Sequence, residues 1–264
     1  MEELCADLLA EYEALDQLAA SMTPAQWRQP TRFYGWTPWD EIAHLCFFDE
    51  TGLHAATDPE RFATETAQLQ ARLDSGMEIS AIARERFGHL DGSALLQFWR
   101  SRYTALVKAL AAMDPKARLP WYGPTMSARS FATARLMETW AHGQDVYDAL
   151  QVRRPASARL RHIAHLGVTT YGWTFVNRAM PVPEPAPYVE LRTADGDTWA
   201  WGAPSDTDFV RGSAEDFCLV VTQRRNVRDT GLEYRGAGVA AWLPIAQCFA
   251  GPPADSPAPG ARAT

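Results

Sequence analysis

The sequence predicts an α+β protein in two parts: a helical bundle over residues 1–180 and a small α+β unit over 185–250. Three observations lead there. Apolar residues recur at three- to four-residue steps, with no convincing strand as far as residue 180. Four prolines then crowd the stretch from Met180 to Pro187, which reads as a linker. Beyond it, two short runs flank the turn Asp195-Gly196-Asp197, the pattern of a hairpin.

The first helix covers residues 2–21 on the repeat Leu4, Leu8, Tyr12, Leu15, Leu18. The second opens at Thr37-Pro38. Thr37 suits the N-cap, Pro38 the first helical position, and Asp40 and Glu41 complement the dipole. It runs to about His54. Residues 59–87 form one or two helices, broken near Ser75-Gly76. Asp91 starts another helix through Trp99 and Tyr103. Ser127 caps a helix to about Leu150, and a last long helix spans roughly 156–179. Strands are expected at 188–192, 198–201, 207–211 and 232–234, with helices at 215–225 and 239–249. The tail 251–264, GPPADSPAPGARAT, reads as disordered.

Composition narrows the function. Lys and Arg total 25 against 32 Asp and Glu, a net charge of −7, which disfavours a nucleic-acid partner. No run approaches 18 uninterrupted apolar residues and the N-terminal stretch is acidic. No membrane partner and a cytoplasmic location are therefore expected. The four cysteines (Cys5, Cys46, Cys218 and Cys248) show no CxxC pairing and read as reduced, buried thiols. No G-x-G-x-x-G follows a strand, and no GxSxG elbow is present.

The strongest chemical signal is Glu138-Thr139-Trp140-Ala141-His142. Glu138 and His142 are four residues apart and share one helix face, from which both can ligate a divalent metal. The same spacing also suits a plain hydrogen bond. A third ligand must come from another helix. His44, on the apolar face of its own helix, is the best choice, with His162 and His165 as competitors. Asp145 suits a role behind a ligand histidine. His54 lies too far along its helix from His44 to share an ion, and His89 reads as exposed.

Upstream of Glu138, Trp121 and Arg129 stand in a segment rich in aromatics and hydroxyls, and Arg135 lies three residues before Glu138. Arg129 is read as a carboxylate clamp for substrate. Trp121 and Arg135 are read as contacts for a cofactor.

Taken together, Trp36-Thr37-Pro38-Trp39 through His44, then Glu138 and His142, resemble the mycothiol-dependent maleylpyruvate isomerase family. The resemblance covers about residues 1–250. It implies a DinB-like four-helix bundle with extra helices, followed by a small α/β domain like sterol carrier proteins. It also implies a zinc ion, or another divalent metal, on His44, Glu138 and His142. Mycothiol, the low-molecular-weight thiol of actinobacteria, would be the cosubstrate, and an arginine of the second domain, assigned to Arg224, would point toward the site. The expected activity is isomerisation or S-transfer on a small electrophilic substrate. The alternative is a non-catalytic metal- or ligand-binding protein of the same fold.

Overall fold

The computed structural model describes residues 1–262, which divide into two compact units, Met1–Val152 and the chain from Arg153 onward. The first is the helical bundle and the second is mixed α/β, as the sequence predicts. Among the described residues no helix is long and apolar enough to cross a membrane.

In the first unit, α1 (Glu2–Ala20) and α2 (Pro38–Thr57) are followed by α3 (Pro59–Asp74), α4 (Ile79–Phe87), α5 (Gly92–Ala111) and α6 (Ala128–Leu150). The helix starts are set by local chemistry. Thr37 accepts the Asp40 amide while Asp40 Oδ2 accepts the Thr37 amide at 2.8 Å, a reciprocal cap with Pro38 in the first turn. Asp91 and Ser127 cap α5 and α6 one-sidedly, their side chains accepting the Ala94 and Ser130 amides. The break between α3 and α4 falls at Ser75-Gly76, where Gly76 takes φ +86°. Helices α1, α2, α5 and α6 form the bundle, α2 packing on both α5 and α6 and α1 on the same pair. Gly52 makes close approach possible: a Cβ there would come within 2.7 Å of the Phe131 ring on α6.

One side chain ties the four helices together. Asp49 on α2 is fully buried and accepts from the Tyr12 hydroxyl of α1, from Trp99 Nε1 of α5 at 2.8 Å and from Arg135 Nε of α6 at 2.8 Å. A buried carboxylate with three donors is satisfied, and each donor comes from a different helix.

A two-strand ribbon, β1 (Arg118–Leu119) with β2 (Met126–Ser127), was not anticipated and closes the segment holding Trp121. The division between the two compact units falls at Val152. Helix α6 ends at Gln151 in the left-handed conformation (φ 55°, ψ 36°), a place usually marked by glycine, so the stop leaves no signal in the sequence.

The expected long helix at 156–179 is two, α7 (Leu160–Thr169) and α8 (Tyr171–Val176), and both belong to the second unit. Its sheet contains β3 (Tyr188–Arg192), β4 (Thr198–Trp201), β5 (Phe209–Ser213) and β6 (Glu233–Arg235), in the order β4-β3-β5-β6. The hairpin β3–β4 is antiparallel with Val189 opposite Trp201, whereas β3–β5 is parallel with Val189 opposite Val210. Val189, Leu191 and Val210 point to the buried side, which α9 (Ala214–Val221) covers. Helix α7 packs on α9 through Gly167, where a Cβ would come within 2.8 Å of Val221. Periodicity identified these segments as helical, but it carries no record of which neighbour covers the apolar face.

The last helix, α10 (Ala237–Trp242), stops short of the expected 249 because Leu243–Ile245 tightens into a 3-10 turn around Pro244. Residues 257–262 make hydrogen bonds with the second unit. Asn226 Nδ2 donates to Pro257 O at 2.8 Å, the Gly260 amide to Asp229 Oδ2 at 2.9 Å, and Arg262 Nη1 to Gln223 O at 2.9 Å. Proline-rich composition denies the tail a helix or strand, but it does not deny these side-chain-to-backbone bonds. Residues 263–264 lie outside the described residues.

Candidate metal centre

Helix α2 carries His44 in its second turn, and α6 carries Glu138 and His142 four residues apart. One ligand atom from each lies within 4.8 Å of the others. His142 is buried, while His44 and Glu138 keep partial exposure. A second convergent group, Glu41, His142 and Asp145, satisfies the same spacing and is wholly buried. Among the described residues neither group includes His162 or His165, which lie in the second unit. His54 is engaged with Glu65 at 2.8 Å.

Distances separate the two groups. Two ligand atoms each about 2.0–2.2 Å from a tetrahedral ion stand about 3.3–3.6 Å apart. His142 Nε2 and Glu138 Oε2 are 3.3 Å apart, the edge of such a tetrahedron. On the other side of the ring, His142 Nδ1 and Glu41 Oε2 are 2.7 Å apart, the length of a strong hydrogen bond and too short to straddle an ion. The donor set His44, Glu138, His142 therefore fits a divalent metal, and Glu41 stands behind it. Two imidazoles and one carboxylate suit zinc and leave a fourth position for an exogenous group.

The walls are aromatic. Trp36 lies nearly parallel to the His142 ring (centroids 5.9 Å, 13° between planes) and Phe33 meets it edge-on at 5.4 Å. Both come from a tight turn closed by the Trp36 amide on Phe33 O at 2.9 Å, with Tyr34 and Gly35 at φ 51° and 72°. The glycine takes its conformation freely, but Tyr34 does not. Phe48 packs on His44 at 4.8 Å and carries the wall to Trp121 at 6.2 Å, which in turn stacks on Phe62 at 5.8 Å.

The expected site residues are thus placed unequally. Trp121 is half-buried in this aromatic wall. Arg135 is 3% exposed, and its Nε donates to Asp49 Oδ1 at 2.8 Å. Burial works against its charge, but the fields of Asp49, Tyr12 and Glu138 outweigh that and raise its pKa. Arg129 is exposed and lies nine residues before Glu138, half a revolution round α6 and about 13 Å along it. Arg224 is a buried residue of the second unit whose Nη1 donates to Thr222 O at 2.8 Å. Cys46 is fully buried and desolvation drives its thiol pKa up, so it is a poor nucleophile.

Two residues escaped the sequence reading. Glu41 looks like any carboxylate in a first helical turn, and only its place three residues before His44 hinted otherwise. Thr31, which donates to Glu41 Oε1 at 3.1 Å, lies in a loop with no periodic signal.

Comparison with known proteins agrees with this geometry. Two solved structures described as the mycothiol-dependent maleylpyruvate isomerase, one of them a histidine-to-alanine mutant, share the fold. They align with TM-scores of 0.52 and 0.54 at 14% and 13% identity, covering 83% of this chain and 87% of theirs. Uncharacterized proteins from two strains of Mycobacterium tuberculosis, CDC 1551 / Oshkosh and ATCC 25618 / H37Rv, are each 46% identical over 254 residues, spanning 94% of this chain and 95% of theirs. Residues 8–147 match the family described as the mycothiol maleylpyruvate isomerase N-terminal domain, and to that family this chain belongs.

Proposed function

We propose that the protein is a metal-dependent enzyme of thiol chemistry, acting with mycothiol on a small electrophilic substrate by isomerisation or S-transfer. The observation that carries this reading is the meeting of His44, Glu138 and His142 within 4.8 Å, with a 3.3 Å edge of the length that two ligands of one tetrahedral ion span. The family match and the names of the solved structures supply the thiol and the reaction class. Zinc or another divalent ion held there would supply positive charge that lowers the pKa of an external thiol.

The chain's own residues do the rest. His44 and His142 offer neutral nitrogen donors, and Glu138 offsets charge. Trp36, Phe33 and Phe48 line the group with apolar surface, which strengthens electrostatic interactions inside it. The protein's own thiols stay out of the reaction, being buried. In the isomerase form, the thiolate sulfur bonds to an electron-poor alkene carbon. Rotation about the resulting single bond and loss of the thiolate then restore the double bond. In the transfer form the sulfur replaces a leaving group.

The test is metal analysis of the purified chain together with a mycothiol-binding titration and turnover on a panel of electrophiles. One divalent ion per chain and thiol binding that depends on it are expected. Full turnover by metal-free protein would overturn the reading.

A further inference from the structure

We propose that Glu41, held from behind by Thr31, is a positioning residue that fixes the tautomer of His142 and turns its Nε2 lone pair toward the metal. The inference rests on the metal reading above and extends it to two residues outside the ligand set.

A neutral imidazole carries one N–H, and its location decides which nitrogen can ligate. Glu41 Oε2 lies 2.7 Å from His142 Nδ1, and an ionised carboxylate only accepts. The proton therefore belongs on Nδ1, which leaves Nε2 as the lone-pair nitrogen. Nε2 is the atom that faces Glu138 Oε2 at 3.3 Å. The two halves of the ring thus do different work.

The carboxylate is itself held. Its other oxygen accepts the Thr31 hydroxyl at 3.1 Å, and the Thr31 amide donates to Trp36 O at 2.6 Å. Glu41 is fully buried, so bulk water does not compete for its oxygens. The same loop lays Trp36 and Phe33 on the His142 ring. The carboxylate and the two aromatic faces together restrict the ring's orientation. Partners of this kind typically contribute about 10–100-fold in metal affinity.

Nitrogen–proton NMR on the metal-free full chain, labelled at histidine, reads the tautomer directly, with His142 assigned by its loss in His142→Ala. The expected wild-type pattern is Nδ1–H. Glu41→Gln should lose that single-tautomer pattern and weaken zinc binding, measured by chelator competition, about 10–100-fold. Circular dichroism checks that the variant folds. Should it not, Thr31→Val removes the rear support alone and should weaken zinc binding in the same direction by less. An Nε2–H pattern in the wild type overturns the proposal. So does a folded Glu41→Gln chain with wild-type tautomer and affinity, or a tautomer that shifts with Asp145→Asn in place of Glu41→Gln. Failure of the metal reading is seen separately, as a wild-type chain that takes up no zinc.

Discussion

Two polar clusters share helices α2 and α6, and they are built on opposite principles. Around Asp49 one acceptor gathers three donors, Tyr12, Trp99 and Arg135, and every bond lies at hydrogen-bonding length. At the other cluster, two imidazoles and a carboxylate bring lone-pair atoms together, with a 3.3 Å edge between His142 and Glu138. The first arrangement is complete without anything added. The second has the spacing of a group that could hold a metal ion. The difference teaches that a buried polar group is read by the complementarity of its neighbours and not by its burial.

The largest expected effect breaks the first cluster. Asp49→Ala leaves the Arg135 guanidinium buried without its carboxylate, and should cost about 3–5 kcal/mol in urea unfolding. Replacing both partners by apolar residues, Asp49→Leu with Arg135→Met, should cost less than the single change, because no charge is then stranded. A double variant as unstable as the sum of the two single changes would mean that Asp49 and Arg135 are not coupled.

The second effect breaks the other cluster. His142→Ala should weaken zinc binding by more than the ~10–100-fold loss expected for an outer partner, and abolish thiol-dependent turnover, while helix content by circular dichroism stays near wild type. The two variants should dissociate, one losing fold and the other losing metal. A His142→Ala chain that retains its metal would remove that residue from the ligand set.

A smaller effect concerns how α2 is held at the angle that presents His44. Thr37→Ala removes the reciprocal cap and should cost about 1 kcal/mol. Burial raises the Asp40 pKa, but Arg84 and the Thr37 groups outweigh this and hold it below the ordinary value. Asp40 therefore stabilises the fold above about pH 4, and that contribution fades as pH falls through its depressed pKa. Wild-type and Thr37→Ala stabilities should converge in acid. Parallel curves would remove Asp40 from the account.

Much of this was legible beforehand. Thr37, Asp91 and Ser127 announce helix starts because capping is local chemistry, and Glu138 and His142 announce themselves by their shared face. What stayed hidden depends on distant neighbours. Asp49 is one acid in an ordinary helix until three other helices converge on it. Glu41 reads as a dipole partner until the fold buries it on His142. The stop of α6 at Gln151 leaves no local mark, because a non-glycine residue takes the left-handed cap.

The smallest expected effect sharpens the comparison along one helix. Arg129 and Arg135 both precede Glu138 on α6, by nine and three residues, and by sequence alone both invite a part in binding. Nine residues turn a helix through two and a half revolutions, which puts Arg129 on the face away from Glu138, exposed to water. Arg135, at three residues, shares most of that face but spends its charge on Asp49. Arg129→Ala should change stability by no more than about 0.5 kcal/mol and leave zinc affinity unchanged. Its KM for an anionic electrophile should also match wild type, because a side chain on the far face does not reach the ligand group. A rise in KM with kcat unchanged would mean that Arg129 binds substrate from that face, and would restore it as the carboxylate clamp.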